Sequence, residues 1–180
     1  MLLNQRGPAK VACHRRGHLN STVRHLSLTM NDNIPVAVAY RLNGATFRAS
    51  AEVLASTLEL DGDGRPTKLT AIPIYFLASY AAELYLKAAL LKRGFDEPTL
   101  RKRFGHDLDS LLAALQQAGV SVTDQTVATV KGMSDQHNKH ALRYTVLVDD
   151  GKKTYWPPLS LVFSMLDELL LLTRISTQGV

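Results

Sequence analysis

Two charged residues interrupt the most apolar stretch of the chain. Glu83 and Lys87 lie four residues apart within Ile72–Gly94, IPIYFLASYAAELYLKAALLKRG. That spacing puts both on one helical face, with the acid on the N-terminal side, the favoured order for a helical ion pair. On a solvated face such a pair is structural and contributes about 0.2–0.5 kcal/mol. Lining a groove between helices, it would instead form a polar site. Elsewhere, His106 and Arg143 are the side chains best suited to chemistry, with His140 close behind. An imidazole suits proton transfer near neutral pH, and a guanidinium suits stabilising a developing negative charge. Each also has a plainer reading: His106 caps a helix or bonds the interior, and Arg143 pairs with Glu83 or Asp107.

These residues need helices to position them. Ile72–Gly94 is apolar nearly all round, as a helix central to a bundle is. Pro73 suits its first turn, Lys92 and Arg93 its last, and Gly94 the left-handed cap. Before it, Ile34 to about Leu60 reads as a helix with Val36, Ala39, Tyr40, Phe47, Ala51, Leu54 and Leu58 near one stripe. Asp32 or Asn33 can cap it, and Gly44 inside the pattern would let a neighbouring helix approach closely. Asp61–Pro66, DGDGRP, is a turn-rich loop that matches only the first residues of a calcium loop. Phe95–Gly105 reads as a short charged connector. Asp107 then caps a third helix ending at Gly119, with Leu108, Leu111, Leu112 and Leu115 on its apolar face.

A fourth helix begins at Ser121 or Thr123 and runs to about His137. Its polarity places it outside the centre of the core. In His140–Trp156, the β-branched run Arg143–Val148, the turn Asp150-Gly151 and Lys153–Trp156 predict a small β-hairpin or extended lobe. Leu159–Ile175 is the last helix. With no alternation of strand and helix, the fold class is all-α.

The 180 residues suffice for one domain with a real core. The net charge of +5 is unevenly placed. Residues 1–29 hold five of the 21 basic residues and no acid, which leaves 16 basic and 16 acidic residues in 30–180. The expected organisation is therefore a basic, disordered leader, 1–29, and a helical domain, 30–180, with Met30 as an alternative start. Cys13 is the single cysteine, which excludes an intrachain disulfide and fits a reducing cytoplasm. Cys13, His14, His18 and His25 match no common zinc spacing, so neither metal nor cofactor is expected. The apolar runs look too short or too interrupted to span a bilayer, and no membrane partner is expected. No phosphate-binding glycine loop, His-Glu-x-x-His or Gly-x-Ser-x-Gly pattern is present.

Three segments together resemble a known family: Glu83-Leu-Tyr-Leu-Lys87-Ala-Ala-Leu-Leu91, Gly105-His106-Asp107-Leu108, and Arg143-Tyr144. In this order they are similar to the HEPN superfamily, in its prokaryotic branches with a Glu-x-x-x-Lys helix, a Gly-His-x-Leu helix start and a later Arg-Tyr. The resemblance covers about residues 34–175. It implies a four- or five-helix up-and-down bundle, often dimeric, and roles in RNA cleavage, nucleotide binding, toxin–antitoxin systems and phage defence. A homodimer, a cognate partner protein and an RNA or nucleotide ligand are the partners it implies. Within it, His106 and Arg143 are the catalytic candidates: a base for a 2′-hydroxyl and a cation for the phosphorane. Glu83, Lys87, His140, Tyr144, Arg101 and Arg103 are the candidates for binding. The chain departs from the Arg-x(4–6)-His motif of active members, which falls near the start of a late helix, because no histidine follows His140. Arg101 and His106 have that spacing, but in the connector. The basic run Lys92, Arg93, Arg101, Lys102, Arg103 could contact phosphates, although Asp96 and Glu97 interleave it. A non-catalytic module that dimerises through its central or terminal helices is the other reading.

Overall fold

The computed structural model describes residues 33–67, 71–138 and 156–174. Six helices account for most of them: α1 Asn33–Ala55, α2 Ile72–Leu91, α3 Glu97–Thr99, α4 Leu108–Gln117, α5 Asp124–Asn138 and α6 Leu159–Leu172. No strand occurs among the described residues beyond an isolated bridge between Leu60 and Pro66. The fold class is all-α. The leader 1–29, the expected hairpin up to Tyr155, and His140, Arg143 and Tyr144 lie outside the described residues.

The central helix is α2. Ile74, Ala78, Ala81, Ala82, Tyr85, Leu86, Leu90 and Leu91 are all buried, on every side of its axis. Contrary to the expectation from sequence, its length and apolarity do reach the range of a membrane span, yet 78% of its most apolar window is buried by the protein's own helices. Its C-terminus closes as expected. Gly94 takes φ +90°, the Gly94 N–H bonds to Leu91 O and the Phe95 N–H to Leu90 O, the paired bonds of a left-handed cap.

Helix α1 runs antiparallel to α2, with Tyr40 near Glu97, Gly44 against Ala81 and Tyr85, and Phe47 against Tyr80. The close approach expected at Gly44 is present: a Cβ there would meet the Tyr85 ring at 2.7 Å. The helix stops at Ala55 rather than near Leu60. The hydroxyls of Ser56 and Thr57 bond back to the carbonyls of Val53 and Leu54, and this local alternative competes with another helical turn.

The expected connector between α2 and α4 is helical instead. Asp96 accepts from the backbone N–H and the hydroxyl of Thr99, capping α3, which passes into a single π-helical turn, Leu100–Phe104. Leu100 and Phe104, four residues apart, are buried and give the segment its inner face. Its many charges conceal that face in the sequence.

Helix α5 also departs from expectation. It packs between α4 and α6 and reaches α2, burying Val130 and Met133 together with Thr126, Thr129, Ser134 and His137. The buried hydroxyls are satisfied: Thr126 donates to Glu168, Thr129 to Gln125 O, and Ser134 to Asp107. A polar helix can enter a core when its polar groups keep partners. At the far side, Trp156 stacks on Tyr75 with ring centres 4.5 Å apart, and the Tyr75 hydroxyl donates to Pro157 O at 2.8 Å. Burial pushes that phenol up to about 12.

Candidate functional site

Glu83 sits midway along α2, where the helix is enclosed on all sides, and is 4% exposed. A lone carboxylate there would be costly, because burial disfavours the charged form. Three donors compensate. Lys87 Nζ lies 2.7 Å from Oε1, His137 Nε2 lies 2.8 Å from Oε2, and His106 Nδ1 lies 3.0 Å from Oε2. Lys87 is itself 8% exposed and His137 3%. The helical pair is therefore buried, and the solvated-face reading of Glu83 and Lys87 does not hold. Burial alone would raise the Glu83 carboxyl. The hydrogen bonds from His137 and Lys87, the lysine charge and the His106 bond outweigh it and hold the carboxyl at about 2.

Each donor is placed by a different local device. Lys87 follows from the four-residue helical spacing. His106 is fixed by the start of α4: Gly105 takes φ +56° to turn the chain out of the π-helical turn, and Asp107 caps α4 through the Ser110 N–H and hydroxyl. His106, one residue before that cap, is thereby turned toward α2. His137 comes from α5, one helical turn beyond Ser134, whose hydroxyl accepts from the Asp109 N–H and donates to Asp107. The same serine thus ties the end of α5 to the start of α4. The ring of Tyr80, one turn before Glu83, packs edge-on to His137 at 5.1 Å and near His106 at 6.2 Å. Phe76 and Phe47 also pack against Tyr80, with ring centres 4.8 and 5.7 Å away.

Because a carboxylate only accepts, the nitrogens facing it carry hydrogen: Nδ1 of His106 and Nε2 of His137. In a neutral ring the basic nitrogens are then Nε2 of His106 and Nδ1 of His137. A carboxylate that fixes tautomer and orientation prepares an imidazole for proton transfer. Of the two, the His106 side chain is the more accessible, at 39% exposure against 3%.

Of the sequence candidates, Glu83, Lys87 and His106 converge. Arg101 and Arg103 lie exposed on the π-helical turn, where the Arg103 guanidinium sits 5.1 Å from the Phe104 ring centre. Two other members of the basic run turn back onto helix ends: Lys92 donates to the carbonyls of Thr173 and Arg174, and Arg93 to that of Ala89. His137 was not among the candidates. Its signal is its register: it falls four residues after Met133 and seven after Val130, on the apolar stripe of α5, where a histidine needs an interior partner.

Compared with protein-family models, with curated proteins and with solved structures, the chain matches none.

Proposed function

We propose that this chain is a HEPN-like helical bundle that binds RNA or a nucleotide through the polar site around Glu83, in a toxin–antitoxin or phage-defence setting. The observation that carries this reading is the convergence of Glu83, Lys87 and His106, two of the three resemblance segments, on one point inside the bundle. His106, with 39% of its side chain exposed, is the member a ligand can reach; Lys87 and His137, buried against Glu83, hold the carboxylate that orients it. In the ribonuclease form of this reading, His106 takes the 2′-hydroxyl proton and Arg143 offsets the phosphorane charge. The test is fluorescence anisotropy of a labelled single-stranded RNA with the full chain across a salt series. Binding that weakens steeply with salt and is lost in His106→Ala supports the proposal. Absence of RNA and nucleotide binding by the folded chain rejects it.

A second reading, a dimerisation module, draws on a different surface. The central helix expected to share a dimer face is enclosed, but α1 presents Leu42, Ala45, Ala49, Val53 and Leu54 on one open face, beside Thr46 and Ser50, with Val53 68% and Leu42 56% exposed. A homodimer formed along α1 would cover it. Sedimentation of the full chain and of Val53→Asp separates the two readings: loss of a dimer in the variant, with RNA binding absent from both, favours the module.

A further inference from the structure

We infer that Glu83, His106 and His137 form a binding site for a divalent transition metal ion of the zinc class. The proposal concerns the same residues as the RNA reading but does not depend on it, since metal uptake is measurable without RNA. Three observations carry it. First, Nδ1 of His106, Nε2 of His137 and a carboxylate oxygen of Glu83 all lie within 4.8 Å of one another. Second, both nitrogens reach one oxygen, Oε2, at 3.0 and 2.8 Å, with Nδ1 of His106 also 3.2 Å from Oε1. Ligands about 2.0–2.2 Å from a tetrahedral zinc are separated by roughly 3.3–3.5 Å, so the two contacts to Oε2 need lengthen by only about half an ångström, and the two nitrogens, within 4.8 Å of each other, settle to the same spacing by side-chain rotation. Third, Lys87 holds the other oxygen, Oε1, at 2.7 Å, so Glu83 would bind through Oε2 alone with its orientation fixed by an outer-shell hydrogen bond.

The donor set selects the ion. Two imidazoles and one carboxylate suit zinc, copper, nickel or iron, and disfavour calcium and magnesium, which take oxygen ligands. In each neutral ring the hydrogen that now faces Glu83 moves, by exchange with solvent, to the other nitrogen, Nε2 of His106 and Nδ1 of His137, which frees Nδ1 of His106 and Nε2 of His137 to ligate the ion. Three protein ligands leave a coordination position for water or an anion, the arrangement of sites kept open. Their origin on three separate elements, α2, the turn before α4, and α5, means that metal would also cross-link the bundle.

Titration of the full chain with Co²⁺, read by its visible ligand-field spectrum and by Zn²⁺ displacement, tests this. The expected result is one equivalent bound by the native chain. His137→Gln and His106→Gln should each weaken binding by more than the ~10–100-fold typical of changes behind the ligands. His106 is partly exposed, so its variant keeps the test decisive if His137→Gln fails to fold. Substituting Cys13, His14, His18, His25 and His140 together should leave the spectrum in place. No uptake by the folded chain overturns the inference. So does binding that survives His106→Gln but disappears with the five other substitutions.

Discussion

Two helical ion pairs with the same four-residue spacing have opposite surroundings. On α1, Arg48 meets Glu52 at 2.9 Å and also reaches Asp167 of α6, with side-chain exposures of 20% for Arg48 and 46% for Glu52. On α2, Glu83 meets Lys87 at 2.7 Å with exposures of 5% and 9%. Spacing makes both pairs; what encloses the helix decides their worth. Water already solvates Glu52, so its pairing contributes little. Glu83 has lost its water and depends on three protein donors, so removing the carboxylate strands a buried ammonium and two imidazole N–H groups.

The largest expected effect follows from that difference. Glu83→Gln should destabilise the fold by about 3–5 kcal/mol, the cost of breaking a buried pair. Urea denaturation measures it, and a loss below about 1 kcal/mol would make the buried pair equivalent to a surface one. Acid offers a second test. The Glu83 carboxyl is held at about 2 against an ordinary 4.5. A group whose folded value is depressed contributes stability above its unfolded value and loses it as pH falls toward the folded one. Stability should therefore drop by something on the order of 3 kcal/mol from this group between pH ~4.5 and ~2. The native chain should lose more stability across that window than Glu83→Gln; equal slopes would detach the effect from Glu83.

Glu168 on α6 falls between the extremes. It accepts from the Thr123 N–H and from the hydroxyls of Thr123 and Thr126, tying α6 to the start of α5, and is only partly buried. Burial would raise its carboxyl, but the Thr126 and Thr123 bonds win and lower it. Glu168→Ala should cost about 1–2 kcal/mol, comparable to losing a helix cap. Thermal melting that ranks it at or below Glu52→Gln would break the ordering by burial. The smallest effect is expected from Glu52→Gln, within about 0.5 kcal/mol and smaller still at ~1 M salt, where screening is complete within a few ångströms. A salt-insensitive loss above about 1 kcal/mol there would show that the Arg48 network is more buried than its exposure implies.

Much of the framework was legible because it rests on local chemistry. Helical periodicity placed five of the six helices among the described residues, Asp107 announced the start of α4 and Gly94 the end of α2, and each of these depends on residues within a turn or two of itself; Gly44 within a helical pattern announced a close helix contact, though not its partners Ala81 and Tyr85. The helical nature of Phe95–Gly105 was not legible, because its apolar face consists of two residues, Leu100 and Phe104, among five charges. Nor was the position of α5, whose buried Thr126, Ser134 and His137 find their partners in Glu168, Asp107 and Glu83, all distant in sequence.

The candidate site divides the same way. Sequence alone determined that Glu83 and Lys87 share a helical face and that His106 precedes a capped helix. Only the tertiary structure decided that this face is sealed, that His106 turns onto it, and that His137 completes the cluster. The physical reason is that helical geometry is set by neighbours in the chain, whereas desolvation is set by whatever packs on top. The protonation and pairing of a buried carboxylate follow from desolvation.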